Sequence, residues 1–141
     1  MDASEYLHRV ASARKKADGL RRQQRILEQM ANNVPGGTFD EPKPQGKGAS
    51  QAPFVKWIDR ILDAEKAAND AESEFRMLAA EAVGAIRKMQ TLPLQNLLIM
   101  RYVEGSAWED IADSLGIVRQ TCWRWHGAAL CELDAVLTSG G

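Results

Sequence analysis

The side chains best suited to bind another molecule are concentrated near the end of the chain, in the stretch SLGIVRQTCWRWHG (114–127). Arginine can donate two hydrogen bonds to a guanine edge, and glutamine can bond an adenine edge. At about 100° per residue, a helix that begins at Arg119 has one polar arc, made of Gln120, Trp123, Arg124 and Gly127. The opposite arc should be buried, and it holds Cys122, Trp125, Ala129, Leu133 and Val136. The pattern predicts an exposed tryptophan among side chains that can read base edges.

The residues before this stretch predict how it is positioned. Pro93 suits the first turn of a helix, which should end near Gly105. Ser106 and Glu109 have the spacing of a capping box, so a second helix is expected to start there and to end at Gly116. A third helix would begin near Arg119 after two or three turn residues. Two short helices around a glycine turn are typical of a helix-turn-helix.

In a helix-turn-helix, the first residues of the second helix contact base edges in the major groove. We therefore expect DNA-binding residues at the start of that helix, namely Arg119, Gln120, Thr121, Trp123, Arg124 and His126. His126 lies between the polar and the apolar arcs, and a packing or phosphate-contacting role is expected for it rather than a catalytic one.

Two long helices are predicted before this region by apolar residues in alternating steps of four and three. The first, over about 3–33, has the seam Tyr6, Val10, Ala13, Ala17, Leu20, Gln24, Leu27, Ala31 and Val34. The second, over 54–90, has the seam Trp57, Ile61, Ala64, Ala68, Ala71, Phe75, Leu78, Ala82, Ala85 and Met89. The segment 34–53 between them contains four prolines and four glycines and is expected to be a loop.

The predicted fold is therefore all-α. A long two-helix coiled-coil hairpin occupies 1–90, a three-helix helix-turn-helix domain occupies 91–137, and 138–141 form a tail. The seams could pair within one chain or between chains. We expect a homodimer through the long helices, and the alternative is a plain structural stalk.

Charge is distributed unevenly along the chain. Residues 91–141 contain three arginines and six acidic residues, a net charge of −3, whereas non-specific DNA affinity depends on cations. A basic cluster lies instead in the first helix and consists of Arg14, Lys15, Lys16, Arg21, Arg22 and Arg25. This cluster is either a solvated helix face or a second, phosphate-binding surface.

The segment LPLQNLLIMRYVEGSAWEDIADSLGIVRQTCWRWHGAALCEL (92–133) resembles region 4 of bacterial sigma factors, whose LRY-x-EG-x-x-x-x-EIA-x-x-LG frame is matched by MRYVEGSAWEDIADSLG. The order of coiled coil, Gly/Pro loop, coiled coil and W-E-x-IA…HG-x-AL motif is similar to the phage and prophage late transcription regulators of the ArpU/RinA type. The resemblance implies a DNA-binding transcriptional regulator that also contacts RNA polymerase. The chain departs from the pattern at Val118, where a Ser or Thr usually caps the recognition helix.

Other classes of protein find less support in the sequence. No Gly-rich phosphate loop, paired metal ligands or Ser/His/Asp arrangement is visible, so we expect no enzyme, cofactor or metal. No run of about 18 apolar residues and no signal-peptide pattern is present, so a cytoplasmic protein without membrane partners is expected. Two alternatives stay open: a protein like a phage terminase small subunit, which packages DNA, and a protein-only adaptor that keeps the helix-turn-helix fold.

Overall fold

The computed structural model describes residues 1–33 and 52–140, and it is helical, with no strand in these two ranges. The elements are α1 (Ala3–Asn32), α2 (Ala52–Ile86), α3 (Leu92–Leu98), a π-helical turn (Ile99–Val103), α4 (Trp108–Leu115) and α5 (Arg119–Ser139). The prediction of an all-α protein is confirmed. The loop expected over 34–53, together with seam residue Val34, lies outside the described residues except for Ala52 and Pro53, which begin α2.

The long helices have nearly the predicted bounds, but α2 ends at Ile86 rather than near Gln90. After Ile86 the chain tightens, because the N–H groups of Lys88 and Met89 bond carbonyls three residues back, at 3.1 and 2.9 Å. This turn brings Met89 into the protein core, where it is buried. All the described seam residues of both helices are buried or half-buried in the single chain.

The described chain forms two compact units, and their boundary differs from the one expected at residue 90. The first unit comprises Met1–Lys15 and Ser73–Gly141, and the second comprises Lys16–Glu72. The physical reason is that the first turns of α1 belong to the core of the first unit. Ala3 and Leu7 are completely buried, in the same cluster as Leu97 and Leu133. The remainder of that buried cluster is Ile86, Met89, Leu94, Leu98, Tyr102, Ile111, Ala112, Cys122 and Ala129.

In the second unit, α1 and α2 contact each other within one chain. The Arg21 guanidinium donates to the Glu72 carboxylate at 2.7 Å and to the Asn69 side-chain oxygen at 2.8 Å. Gln24, the one polar residue in the predicted seams, is buried and accepts a hydrogen bond from Arg21. A buried amide is tolerated there because its oxygen has this partner.

Two acidic residues near the end of α5 cap other helices of the first unit. The Asp134 carboxylate accepts a hydrogen bond of 2.6 Å from the N–H of Ala3, while Asp2 caps the same end of α1 through the N–H of Glu5 at 2.8 Å. Glu132 accepts hydrogen bonds from the N–H and hydroxyl groups of Thr91, which precedes α3 and makes no side-chain cap of its own. Helix starts leave N–H groups unpaired, so both carboxylates satisfy donors that would otherwise need water.

The capping box predicted at Ser106 is wrong, because α4 begins two residues later, at Trp108, with no side-chain cap. The backbone of Ser106 is engaged with the preceding turn instead. Its N–H donates to the carbonyl of Met100 at 2.8 Å, and its carbonyl accepts a hydrogen bond of 3.1 Å from Arg101. Gly105, in the left-handed region at φ +76°, directs the chain into this position.

Candidate nucleic-acid interface

The turn between α4 and α5 has the predicted geometry. Gly116 adopts the left-handed conformation (φ 69°, ψ 33°), and its N–H bonds the carbonyl of Asp113 at 3.2 Å. The N–H of Ile117 reaches back to the carbonyl of Ala112 at 3.0 Å, so the α4 carbonyls are satisfied as in a Schellman ending. Val118 is extended and supplies no side-chain cap, and α5 begins at Arg119 as predicted.

The polar arc at the start of α5 is exposed, as the predicted helical phase requires. Its members Arg119, Gln120, Trp123, Arg124 and Gly127 all face solvent, and Trp123 is 53% exposed. We call these five residues the outer arc. Thr121, another predicted DNA-binding residue, is half-buried, and its hydroxyl accepts a hydrogen bond of 3.3 Å from Arg124.

The opposite stripe of α5 is less uniform than predicted. Cys122, Ala129 and Leu133 are buried. Trp125 was expected in the core, but it is only half-buried, because it packs against the buried cluster from outside. Val136 is half-buried in the same way. The direction of the stripe is therefore correct, and the full burial of Trp125 is not.

Trp123 is held by an aromatic cluster that the sequence did not reveal. Its ring centroid lies 4.9 Å from that of Trp108 on α4 and 6.0 Å from that of His126. Trp108 and His126 meet edge to face at 4.7 Å, and the Tyr102 hydroxyl shares a 2.8 Å hydrogen bond with His126 Nε2. We call Tyr102, Trp108, Trp123 and His126 the aromatic cluster. It fixes an exposed tryptophan in one orientation.

His126 is therefore a half-buried packing residue, which is one of the two roles expected for it. Burial is the main cause that lowers the pKa of its imidazole below the ordinary 6.5, and the nearby charges of Arg101 and His8 lower it further. The ring is consequently neutral at pH 7. A neutral ring has no net charge with which to attract a phosphate, so the structure favours packing over phosphate contact.

A cleft of about 430 Å³ opens beside the aromatic cluster within the first unit. Its cationic lining side chains are Arg14, Lys15 and Arg101. The Arg101 guanidinium lies 4.6 Å from the centroid of the Trp108 ring. The guanidinium of Arg14 lies against Gly105, where a Cβ atom would overlap it. We call this cavity the basic-aromatic cleft; its other lining residues are His8, Ala11, Tyr102, Gly105, Trp108, Trp123 and His126.

The six residues of the basic cluster predicted in α1 do not share one environment. Arg14 and Lys15 belong to the first unit and line the basic-aromatic cleft. Arg21 is engaged by Glu72 and Asn69, so its charge is already compensated. The remaining three residues of this cluster, Lys16, Arg22 and Arg25, lie in the second unit and are exposed.

No helix in the described parts of the chain has the length and apolarity needed to cross a bilayer. No protein-family model matches this sequence, and neither a curated protein nor a solved structure shows significant similarity to it.

Proposed function

We propose that this protein is a sequence-specific DNA-binding regulator of transcription that uses α4 and α5 as a helix-turn-helix. The observation that carries the proposal is the outer arc, where two arginines, a glutamine and a tryptophan are exposed at the start of a helix whose other side packs in a core. A helix of this kind can lie in the major groove with its first turns against base edges.

The residues of the outer arc have complementary chemistry for this task. Arg119 and Arg124 can bond guanine, and Gln120 can bond adenine. Trp123 offers an aromatic edge to a thymine methyl group. Gly127 adds no side chain, and the space where its Cβ would be is open, so a phosphate backbone can approach the helix there.

The net charge of −3 in this region is an objection to DNA binding, and the positions of two of its six acidic residues weaken it. Glu132 and Asp134 are engaged in capping α3 and α1. Glu132 also lies thirteen residues after Arg119, which corresponds to about 20 Å along a helix. At that distance exposed charges are strongly screened at physiological salt, where the Debye length is about 8 Å. The charged residues at the start of α5 itself are all cations.

The long helices have a proposed role in assembly as a coiled-coil hairpin that pairs with a second copy. Because the seam positions are already buried within one chain, a dimer would use other apolar side chains of the second unit, and Ile26, Met30 and Leu62 are exposed there. A two-fold dimer would present two recognition helices to a palindromic site. Sedimentation equilibrium should give a dimer at tens of micromolar, and a monomer would contradict this part of the proposal.

The DNA-binding proposal is tested by selecting fragments of the native genome on the purified protein and sequencing them. We expect enrichment of promoter-like sites. Enrichment of a single packaging site would favour the terminase-like alternative. An absence of saturable binding even at low salt, about 50 mM, would favour a protein-only adaptor. Contact with RNA polymerase stays a prediction from the resemblance.

The enriched site then allows a test of the outer arc. Arg124→Ala should weaken binding by about 5- to 150-fold, the effect of losing one good base contact, while the fold stays intact. Arg87→Ala is the matched control, because Arg87 is an exposed arginine in the same unit but outside α5. Equal affinity of the Arg124 variant and the parent would defeat the assignment of α5 as the recognition helix.

A further inference from the structure

We propose that the basic-aromatic cleft binds a single nucleotide, with the base stacked on Trp123 and the phosphate placed between Arg14, Lys15 and Arg101. Binding at this site differs from the recognition of base edges by the outer arc. It does not require α5 to enter a DNA groove. Trp123 is the one residue common to both, because it lines the cleft and also lies on the exposed face of α5.

The charge of the cleft selects an anion. The chain as a whole has 18 basic and 19 acidic residues, yet three of the ten described lining residues are Arg or Lys and none of the ten is Asp or Glu. The positive charge around the cleft also affects His126, because Arg101 and His8 contribute to lowering its pKa. A phosphate with two ionisable oxygens is a better match for several cations than a neutral ligand is.

The size and the aromatic lining of the cleft indicate that the anion it binds is a nucleotide. A cleft of about 430 Å³ lies within the range of small-molecule sites and is far larger than one phosphate group needs. Trp123 lines the cleft and is about half-exposed, and every nucleobase has a π-face that can stack on an indole ring. A basic groove combined with an aromatic platform is the usual arrangement for binding unpaired nucleotides.

The lining side chains are held in place before any ligand arrives. Arg101 bonds the Ser106 carbonyl at 3.1 Å and lies over the Trp108 ring, so its guanidinium has a defined position. Trp108 supports Trp123, and His126 is fixed by its hydrogen bond to Tyr102. A prearranged site loses little side-chain entropy on binding, which favours measurable affinity for a small ligand.

The site is tested with AMP as the probe and with adenosine and inorganic phosphate as its two halves. In ¹H–¹⁵N spectra of the full chain, AMP should shift the indole signals of Trp108 and Trp123 saturably and leave that of Trp57 unchanged. Adenosine and phosphate should each bind at least about tenfold more weakly, because each lacks one of the two contacts. Phosphate binding as tight as that of AMP would overturn the proposal in favour of a simple anion site.

Two neighbouring lysines provide a matched pair of variants. Lys15 and Lys16 are both exposed, but only Lys15 lines the cleft. Lys15→Ala should weaken AMP binding by about tenfold, whereas Lys16→Ala should leave it unchanged. Equal affinities of the two variants would overturn the assignment of the cleft, and neither change touches the core, so both proteins should fold.

The nucleotide can come from the free pool or from an unpaired position in a strand. A short single-stranded oligonucleotide that binds more tightly than AMP and depends on Lys15 identifies a strand as the source. Equal affinity for AMP and for the oligonucleotide identifies the free nucleotide. Arg124→Ala should weaken duplex binding without changing the AMP affinity, so a failure of the recognition helix and a failure of this cleft give different results.

Discussion

The Glu132 carboxylate on α5 accepts hydrogen bonds from both the backbone N–H and the hydroxyl group of Thr91, at 3.1 and 2.9 Å. The N–H of Gln90 donates to the same carboxylate at 2.9 Å. A residue 41 positions away in sequence thus binds the N-cap residue of α3. This carboxylate, which looks unfavourable for DNA binding when charges are merely counted, connects the first and last helices of the proposed recognition domain.

Removing the Glu132 carboxylate should lower the free energy of unfolding at pH 7. Glu132→Ala should cost about 1 kcal/mol, as the loss of a helix cap does, and urea denaturation measures it. Glu74→Ala, at an exposed site within α2, is the control and should change stability by less than about 0.5 kcal/mol.

The Glu132 effect should depend on pH. The hydrogen bond from the Thr91 hydroxyl, followed by those from the backbone, holds the pKa of Glu132 below its ordinary 4.5. A lowered pKa means that the ionised form stabilises the fold above pH 4.5 and that this contribution is lost as the pH falls further. The difference between parent and variant should therefore shrink at pH 3. A constant difference from pH 7 to pH 3 would show that the carboxylate acts only through packing.

Leu7→Ala should destabilise the unit that contains α5. Leu7 is completely buried beside residues of the carboxyl-terminal helices, and truncating a buried leucine costs about 2–5 kcal/mol. Leu92→Ala, at a residue of the same unit that is 62% exposed, is the control. A fragment that starts at residue 91 should fail to fold, since it lacks Leu7 and Ile86. Native chemical shifts in that fragment would contradict the prediction.

His126 should make the protein less stable in mild acid. Its folded-state pKa is lowered, mainly by burial, so the unfolded chain binds a proton more readily than the folded one. The stabilising contribution is complete above pH 6.5 and is lost as the pH falls below that value. The chain has only two histidines, so NMR titration can follow His126 and His8 separately. A His126 pKa at or above 6.5 would contradict the burial argument.

Two glycine substitutions should have opposite effects on stability. Gly105→Ala introduces a Cβ at φ +76°, where it would overlap the Arg14 guanidinium, and should destabilise by more than about 1 kcal/mol. Gly127→Ala adds a methyl group in open space within α5 and should stabilise by about 0.5–1 kcal/mol. Thermal denaturation of the two variants and of the parent measures whether stability changes in these opposite directions. If Gly127 also admits a DNA backbone, its alanine variant should bind DNA more weakly despite its greater stability.

Local sequence patterns predicted the parts of the fold that local physics controls. The spacing of apolar residues predicted which faces of α1 and α2 are turned inward, and Gly116 predicted the turn before α5. The exposed position of Trp123 followed from the helical phase alone. The expectation for Trp125 was less accurate, because helical phase gives the direction of a side chain but not the thickness of the layer that covers it.

The remaining features depend on residues that are distant in sequence. Nothing near Thr91 indicates that Glu132 caps it, and nothing near Ala3 indicates Asp134. Trp108 and Trp123 lie on two different helices and contact each other. The periodicity of apolar residues along one helix does not predict the angle at which it crosses another. The basic-aromatic cleft likewise combines α1 with α4 and α5, so each of its residues looks like ordinary surface or core when read along the chain.

The hydrogen bond from Ala3 to Asp134 spans 131 positions and bears on how the protein is made. During synthesis, the second unit, Lys16–Glu72, is translated in full before α5. The first turns of α1 must wait, with Leu7 lacking its partners on α5, until α5 leaves the ribosome. Ala3 therefore reaches its partner only after α5 has been made, and contacts of such sequence separation are slow to form. In the interval, the nascent chain presents the apolar face of α1 that contains Leu7, and chaperones can bind such a face.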